Sequence, residues 1–213
     1  MTLLDLDPDQ LLSTTRTVRK RLDFTRDVPD DLIRDCVRLA LQAPSGGNNV
    51  TMRYVVVRDR EQRRALGDLY RECFAVYRSS RSYLGNAARA AGPEQEAHAR
   101  VASSADYLAE HMGDAPVLVI GCNTGEDRAA AERGMGNIMP GMWSFMLAAR
   151  ARGLGTAWTT VHRIKEREAA ELLGIPYETV AQAVLSPVAF SQGTEFRPAA
   201  RPDPDDVIRW DRW

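Results

Sequence analysis

The run Pro-Val-Leu-Val-Ile-Gly at residues 116–121 constrains the fold most, because it carries no polar side chain on either face. A strand of this kind is typical of the centre of a sheet that is covered on both sides. Residues 135–152 follow, nearly all apolar over the length of a helix, and Gly153 ends the run. A helix that is apolar all round is also buried. This strand and this helix therefore belong to the centre of the fold.

The rest of the chain predicts further helices and strands around that centre. Residues 28–43 are the clearest helix, with Asp27 as a candidate N-cap and Pro29 in the first turn. Other helices are predicted at residues 62–78, 94–112 and 165–173, and strands at residues 53–58, 155–161 and 181–190. Residues 79–92 are predicted to be a mobile excursion. The pattern indicates an α+β fold with about four strands and five helices.

Length and charge limit the classes of protein to consider. A chain of 213 residues is long enough for one good core, so we expect a single domain over residues 1–213. The net charge of -1 gives no overall field for a polyanion, which argues against a nucleic-acid partner. The N-terminus is acidic and no apolar run reaches the ~18 residues that span a bilayer, so we expect a cytoplasmic protein without membrane contact.

The reactive side chains do not form a self-sufficient catalytic set. Cysteines 36, 73 and 122 stand among apolar neighbours, which indicates small buried side chains rather than a disulfide or a metal site. Histidines 98, 111 and 162 lack metal-ligand spacing, so no metal is predicted. The glycines at 153 and 155 close a helix and open a strand, the reverse of a dinucleotide-binding turn. Any chemistry must come from elsewhere.

Polar segments that could bind a ligand occur at three places. Arg16, Thr17 and Arg19 offer planar donors and a hydroxyl to a phosphate, although a solvated basic turn is the commoner meaning of such a cluster. The loop at residues 44–49 lets the backbone approach a ligand, although a helix cap and turn is the simpler interpretation. Residues 158–160 end a strand and present two threonines, where an ordinary strand is again the simpler interpretation.

The C-terminal segment presents a further problem. It has too many prolines for a central strand and too many large apolar groups for a free tail, namely Phe196, Ile208, Trp210 and Trp213. It either wraps its own domain or embraces a partner, and the residues alone leave both open.

Together these segments resemble the nitroreductase family of FMN flavoproteins, most closely its actinobacterial branch. The segments that carry the resemblance are, in order, TTRTVRKRLDF, VPDDLIRDCVRLALQAPSGGNN, RYVVV, RGLGTAWTT, LLGIPYE and FRPAARPDPDDVIRW. It covers most of the chain and is weakest between residues 79 and 133. The resemblance implies three layers, α/β/α, around a mixed and mainly antiparallel sheet, and a homodimer that exchanges C-terminal arms formed by residues 190–213.

The resemblance also implies which residues bind FMN. Those near the phosphate and the pyrimidine edge of the ring are Arg16, Thr17, Arg19 and the late Arg201. The loop that contacts the flavin of the other subunit maps to Pro44, Ser45, Gly46 and Asn48. The segment beside the flavin N5 and O4 atoms maps to Thr159, Thr160 and Val161.

The implied activity is hydride transfer from NAD(P)H through FMN to a small acceptor such as a nitroaromatic or a quinone, in a ping-pong cycle. The flavin performs this chemistry, so no catalytic side chain is predicted. Residues 50–52 are Val-Thr-Met where many members have Gln-Pro-Trp, so the pocket wall differs. That departure keeps an alternative open: a flavin-binding protein without NAD(P)H turnover, or a relative doing dehalogenation or dehydrogenation. A helical adaptor that binds partners through its tail is a third possibility.

Overall fold

A computed structural model describes residues 3–87 and 93–213 of the chain. The strands are β1 (Leu22–Asp23), β2 (Met52–Val57), β3 (Val117–Thr124), β4 (Leu154–Thr156) and β5 (Val180–Ser191). The helices are α1 (Pro8–Thr14), α2 (Asp30–Ala40), α3 (Arg60–Ser79), α4 (Leu84–Ala87), α5 (Pro93–His111), α6 (Arg128–Arg133), α7 (Ile138–Ala151), α8 (Glu166–Leu173) and α9 (Pro204–Val207). The fold is α+β, as the sequence predicts.

The five strands form one sheet whose named pairs are all antiparallel. Its main order is β1-β5-β3-β2, and β4 also pairs with β5. β3 pairs with β2 on one side and with β5 on the other, which confirms it as a central strand. β2 is the last strand in this order, so one of its edges has no neighbour within the described chain.

The two faces of β3 enter two different apolar clusters. Leu118 and Ile120 pack in the cluster that contains residues of α3, α5 and α8. Val117 and Val119 pack in the cluster that contains residues of α2 and α7, including Phe145. Helices therefore cover both faces of the sheet, and α7 is the buried apolar helix that its sequence predicts. The three cysteines are free and buried, which confirms the prediction that they pack as small apolar side chains.

The first long helix is shorter than predicted. α2 begins at Asp30 and ends at Ala40, whereas the sequence predicts residues 28–43. Asp27 is not its N-cap, because the carboxylate of Asp27 instead pairs with Arg58 (Oδ1 to Nη2, 2.8 Å). Pro29 takes the cap position and suits it, since a proline there sacrifices no helical hydrogen bond.

The strand predicted at residues 155–161 is interrupted, and Pro187 explains why. β4 ends at Thr156, opposite Val188, and the same register resumes only at the bridge between Thr159 and Leu185. Proline has no N–H to donate to the ladder at the intervening position. The N–H of Ala157 turns to the hydroxyl of Ser186 instead, at 3.3 Å. The prediction of a continuous strand was therefore wrong, while its end remains attached to β5.

The region between α3 and β3 is mostly helical. α5 matches the helix predicted at residues 94–112. The excursion predicted at residues 79–92 starts at the last residue of α3 and passes through a turn into the short α4, and residues 88–92 of that prediction lie outside the described residues. No helix within residues 3–87 and 93–213 is both long and apolar enough to cross a membrane.

The C-terminal arm begins at residue 192, because β5 continues to Ser191. From residue 201 onward every side chain of the arm is exposed, including those of Trp210 and Trp213. Its only regular structure is α9, whose first turn is capped by the Asp203 carboxylate, an acceptor for the N–H of Asp205. Phe196 packs against its own chain, whereas Ile208, Trp210 and Trp213 do not, so only the end of the arm is left without cover.

Candidate functional site

The basic segment before β1 lines a cavity of about 240 Å³, which we call the basic cavity. Its wall consists of residues 16–21, Ser104 on α5 and Phe196 in the arm. A guanidinium nitrogen of Arg19 donates to the Ser104 hydroxyl at 3.1 Å. Several cations and hydroxyls around one cavity form a donor set that suits a phosphate group. This clustering around one cavity favours the phosphate interpretation over a solvated turn.

Contacts with β4 fix the basic segment in position. The N–H of Val18 donates to Thr156 O at 2.7 Å, and Thr17 forms a parallel bridge with the same residue. The approach depends on Gly155, because a Cβ there would lie 2.8 Å from a methyl carbon of Leu22. The hydroxyl of Thr17 also accepts the N–H of Trp158 at 3.5 Å. These contacts hold the basic cavity beside the segment that follows β4.

A second cavity, also about 240 Å³, adjoins the first, and Arg19 lines both. Thr159, Thr160 and Val161 form one part of its wall. The other lining residues are aromatic or small and come mainly from α3 and α5: Tyr70, Phe74, Tyr77, Tyr83, Val101, Ala102, Ala105 and Trp158. We call it the aromatic cavity. Two of the three predicted groups of site residues thus meet around one arginine.

The aromatic wall is a packed cluster that sequence reasoning missed. The rings of Tyr77 and Tyr83 are nearly perpendicular, with centroids 5.5 Å apart. The Tyr83 hydroxyl donates to the carboxylate of Asp106 on α5 at 2.8 Å, which ties the two helical segments together. Burial raises the pKa of Tyr70 to about 12, so its phenol stays protonated at neutral pH. The helical spacing of residues 70, 74 and 77 was visible, but an ordinary core stripe has the same spacing.

Arg19 is a partly desolvated cation. Burial lowers the pKa of its guanidinium, and the nearby phenol groups of Tyr70 and Tyr77 oppose that effect. Within the described residues it makes no ion pair with a carboxylate. A charge in this environment gains from an anionic ligand more than a solvated one does. Its position in the walls of both cavities makes it the central residue of the site.

Within the segment after β4, the three residues have different roles. Both backbone polar groups of Thr159 are bonded to Leu185, and its hydroxyl donates to Leu185 O at 2.6 Å. Thr159 therefore fixes the segment on β5. Thr160 is exposed and Val161 is half-buried, and both line the aromatic cavity. These two residues carry the side of the segment that a ligand can reach.

The loop at residues 44–48 lies apart from both cavities. The N–H of Gly46 donates to Asn137 Oδ1 at 3.1 Å, and the Asn137 amide donates to the Thr51 hydroxyl at 3.2 Å. Thr51 in turn bonds to Asn123 Oδ1 at 2.6 Å. Of the unusual residues 50–52, only Val50 is exposed; Met52 is buried. Residues 50–52 therefore mainly support the loop from the interior of the fold. Within one chain the loop does not reach Arg19.

Arg201 also lies outside the two cavities. Its guanidinium donates only to the neighbouring Ala200 O, at 3.4 Å, within the described residues. It shares the exposed arm with Trp210 and Trp213. A single chain therefore groups Arg16, Thr17 and Arg19 with residues 159–161, and leaves the loop and Arg201 elsewhere.

A buried polar network follows the segment and supports it. The Glu166 carboxylate accepts from Arg128 at 2.8 Å and from the N–H of Gln182 at 2.6 Å. His162 is completely buried, with no hydrogen-bond partner for either ring nitrogen in the described chain. Burial, and secondarily the charge of Arg163, lowers the pKa of His162 to about 3. The imidazole is therefore a neutral core group rather than an acid or base.

A groove of about 510 Å³ lies at the edge of the sheet, away from both cavities. It runs between α2 and β2, the strand with an unpaired edge. Its walls combine apolar side chains with arginines and one acid: Ile33, Val37, Leu41, Tyr54, Val56, Arg34, Arg38, Arg58 and Asp30. The hydroxyl of Tyr54 has no hydrogen-bond partner in the described chain. An unpaired sheet edge beside an apolar groove is a template for an additional strand.

Comparison with known proteins identifies the class of this chain. Residues 12–186 match the model of the nitroreductase family, and the chain belongs to that family. It is therefore an oxidoreductase, and the resemblance drawn from the sequence is confirmed.

Individual relatives extend this result. A protein of Archaeoglobus fulgidus, provisionally named NADH dehydrogenase/NAD(P)H nitroreductase, is 28% identical over 83% of this chain and 82% of its own. The 5,6-dimethylbenzimidazole synthase of Rhodospirillum rubrum is 29% identical over 83% of this chain and 79% of its own. The structure of oxidized iodotyrosine deiodinase bound to FMN and 3-iodo-L-tyrosine has a TM-score of 0.67 at 20% identity, covering 93% of this chain and 96% of that one. This last likeness establishes the shared fold.

Proposed function

We propose that the chain is an FMN-dependent oxidoreductase that takes hydride from NAD(P)H and passes it to a small acceptor such as a nitroaromatic or a quinone. One observation carries the proposal: Arg19 lines both the basic cavity and the aromatic cavity. A ligand with an anionic end and a flat polar ring matches two such adjoining spaces. FMN has this composition, and the deiodinase that shares the fold binds it.

The donor set assigns a role to each residue. Arg16 and Thr17 hold the phosphate. Arg19, which lines both cavities, contacts the phosphate and also faces the pyrimidine edge of the ring, where its charge stabilises negative charge on the reduced flavin. Thr160 and Val161 lie along the N5 and O4 edge, on a segment that Thr159 fixes to β5. Bound FMN supplies the hydride chemistry itself. The chain contributes binding, orientation and fixed dipoles.

We further propose that the active form is a homodimer with exchanged arms. The loop at residues 44–48 and Arg201, which the resemblance assigns to the flavin, lie outside both cavities, so one chain provides only part of the predicted cofactor site. The arm carries exposed apolar residues next to the acids Asp205 and Asp206. These complement the apolar, arginine-rich groove between α2 and β2 of a second copy. The exchange would also bring the partner's loop and arm to each site.

Titration of apo-protein with FMN tests the cofactor assignment. A charge-assisted phosphate contact is worth roughly 1.5–3 kcal/mol, so Arg19→Ala and Arg201→Ala are each expected to raise the dissociation constant ~10- to 150-fold. Arg71→Ala is the matched control, because Arg71 on α3 lines neither cavity and forms exposed ion pairs with Asp68 and with Glu110 on α5. Unchanged FMN affinity in both site variants would show that the phosphate assignment is wrong.

A second candidate function is flavin chemistry that does not use NAD(P)H. The relatives named for benzimidazole synthesis and deiodination support it, together with the enclosed aromatic wall of this chain. Anaerobic mixing of the FMN-loaded protein with NADH and with NADPH separates the two candidates. Bleaching of the flavin absorbance within seconds supports the reductase. Persistent yellow colour with both donors supports the alternative.

A further inference from the structure

The basic segment binds the beginning of the arm as well as lining the basic cavity. Residues 192–197, which we call the arm root, accept hydrogen bonds from two arginines of the basic segment. Arg21 donates to Glu195 O at 3.2 Å, and Arg16 donates to Arg197 O at 3.3 Å. The same short segment is therefore shared between the proposed phosphate site and the root of the arm.

Phe196 is the side chain of the arm root that reaches the cavity. Its ring lines the basic cavity and lies under two guanidinium groups. The Cζ atom of Arg21 is 4.3 Å from the ring centroid, and that of Arg150 is 4.9 Å away. Cation–π contacts with two arginines restrain the ring more than packing against a half-open surface does.

Arg150 is unusual because it is a buried cation that forms no ion pair within the described residues. It lies in the last turn of α7 and is only 5% exposed. Its one side-chain hydrogen bond is long, to the Thr14 hydroxyl at 3.4 Å, and its Nε atom has no partner in the described chain. Burial lowers the pKa of Arg150, and the charge of Arg21 adds to that effect. A buried charge without an ion pair costs stability, and the contact with the Phe196 ring offsets part of that cost.

We propose that Phe196 is a wall of the phosphate subsite and that Arg150 is a positioning residue that acts on this subsite through Phe196. The inference rests on the proposed function, because it takes the phosphate of FMN as the ligand of the basic cavity. Arg150 itself does not line that cavity; it lines a separate space of about 390 Å³. Because coupling is reciprocal, FMN binding and the orientation of the arm root then strengthen each other.

The experiment compares FMN with riboflavin, which has the same ring and no phosphate. Apo-protein is titrated with each, for the native chain and for Arg150→Met, Phe196→Leu and the double variant. Arg152→Met is the matched control, since Arg152 is close by on α7 but bonds only to Ala148 O. We expect each single variant to weaken FMN binding roughly three- to tenfold, with riboflavin binding changed less than twofold. The double variant should lose no more than the larger single loss, because both changes act on one contact.

The outcomes separate this inference from the proposed function. If the native chain binds FMN but both single variants keep its affinity, the positioning role is wrong while the cofactor assignment stands. Equal losses for FMN and riboflavin would also overturn it, because they would indicate general damage to the fold. If the native chain binds neither compound, the proposed function fails first.

Discussion

β5 and the C-terminal arm are separated by only a few residues, yet they treat apolar side chains in opposite ways. In β5 every residue from Val180 to Phe190 is buried, and the strand pairs with β3, β4 and β1. In the arm every residue from 201 onward is exposed, including two tryptophans. Both regions carry large apolar groups, but β5 has no charged residue, whereas seven of the thirteen residues from 201 onward are charged. One chain buries β5 and Phe196, but it provides no surface for the apolar side chains at the end of its arm.

The largest expected effect lies on the β5 side of this comparison. Phe145 on α7 is fully buried in the cluster that covers one face of the sheet. Phe145→Ala leaves a cavity there and is expected to lower the free energy of unfolding by about 3–5 kcal/mol. Urea titration followed by circular dichroism measures it. Val76→Ala, at an exposed position of α3, is the control and should change stability by less than about 0.5 kcal/mol.

The arm should behave in the opposite way. Trp210→Ala is expected to leave the unfolding of the dilute single chain unchanged, since the side chain is 78% exposed. If the arm docks in the groove of a second copy, a buried tryptophan there is worth about 2 kcal/mol or more. The symmetric exchange removes two of them per dimer, so self-association should weaken roughly 1,000-fold. Sedimentation equilibrium over a range of concentrations measures this. A dilute chain destabilised as strongly as Phe145→Ala would mean that the arm folds on its own chain.

The buried His162 should make the stability of the folded interior depend on pH. Its pKa falls from 6.5 to about 3 in the folded chain. The unfolded chain then binds a proton below about pH 6.5 that the folded chain does not, so stability should fall as the pH drops from 6.5 toward 5, by up to about 1.4 kcal/mol per unit. His162→Gln should flatten this part of the curve, measured by urea titration at each pH. His111→Gln, at a half-buried position at the end of α5, is the control. An unchanged slope in His162→Gln would show that another group causes the loss.

The buried elements are predicted well, because a strand or helix that is covered on all sides leaves a run of apolar residues in the sequence. The apolar run in β3, the apolar α7 and the glycine ends at 153 and 174 all appear in the structure. Prediction from the sequence fails where tertiary contacts override the local pattern. Pro187 on a neighbouring strand interrupts β4, and Arg58 takes the Asp27 carboxylate that could have capped α2. No local pattern reports such distant partners.

The candidate site also has a part that the sequence predicts and a part that it does not. The basic segment and residues 159–161 were found from the sequence, and the structure brings them together around Arg19. The aromatic wall from α3 and α5 was not found, because its spacing is that of any buried helix face and the family resemblance is weakest there. The loop at residues 44–48 and Arg201 remain predictions, since one chain leaves both outside the two cavities.

The smallest expected effect concerns the chemistry, and it follows from where the reactive side chains lie. The three cysteines are buried, and burial raises the pKa of Cys122 to about 12 and that of Cys36 to about 11, so neither is a thiolate at neutral pH. His162 is a buried neutral group, and none of the three histidines lines either cavity.

If positioning and fixed dipoles are the contribution of the protein, no side chain needs to exchange a proton in the step that sets the rate of flavin reduction by NAD(P)H. Replacing each histidine by glutamine and each cysteine by alanine, one at a time, should therefore leave that rate within roughly tenfold, because a true general acid or base supplies ~10²–10⁴. Stopped-flow absorbance of each folded, FMN-loaded variant is the measurement, with Arg71→Ala as a surface control. A variant slowed a thousandfold with its flavin still bound would reveal a side-chain catalyst and would favour flavin chemistry other than simple hydride transfer.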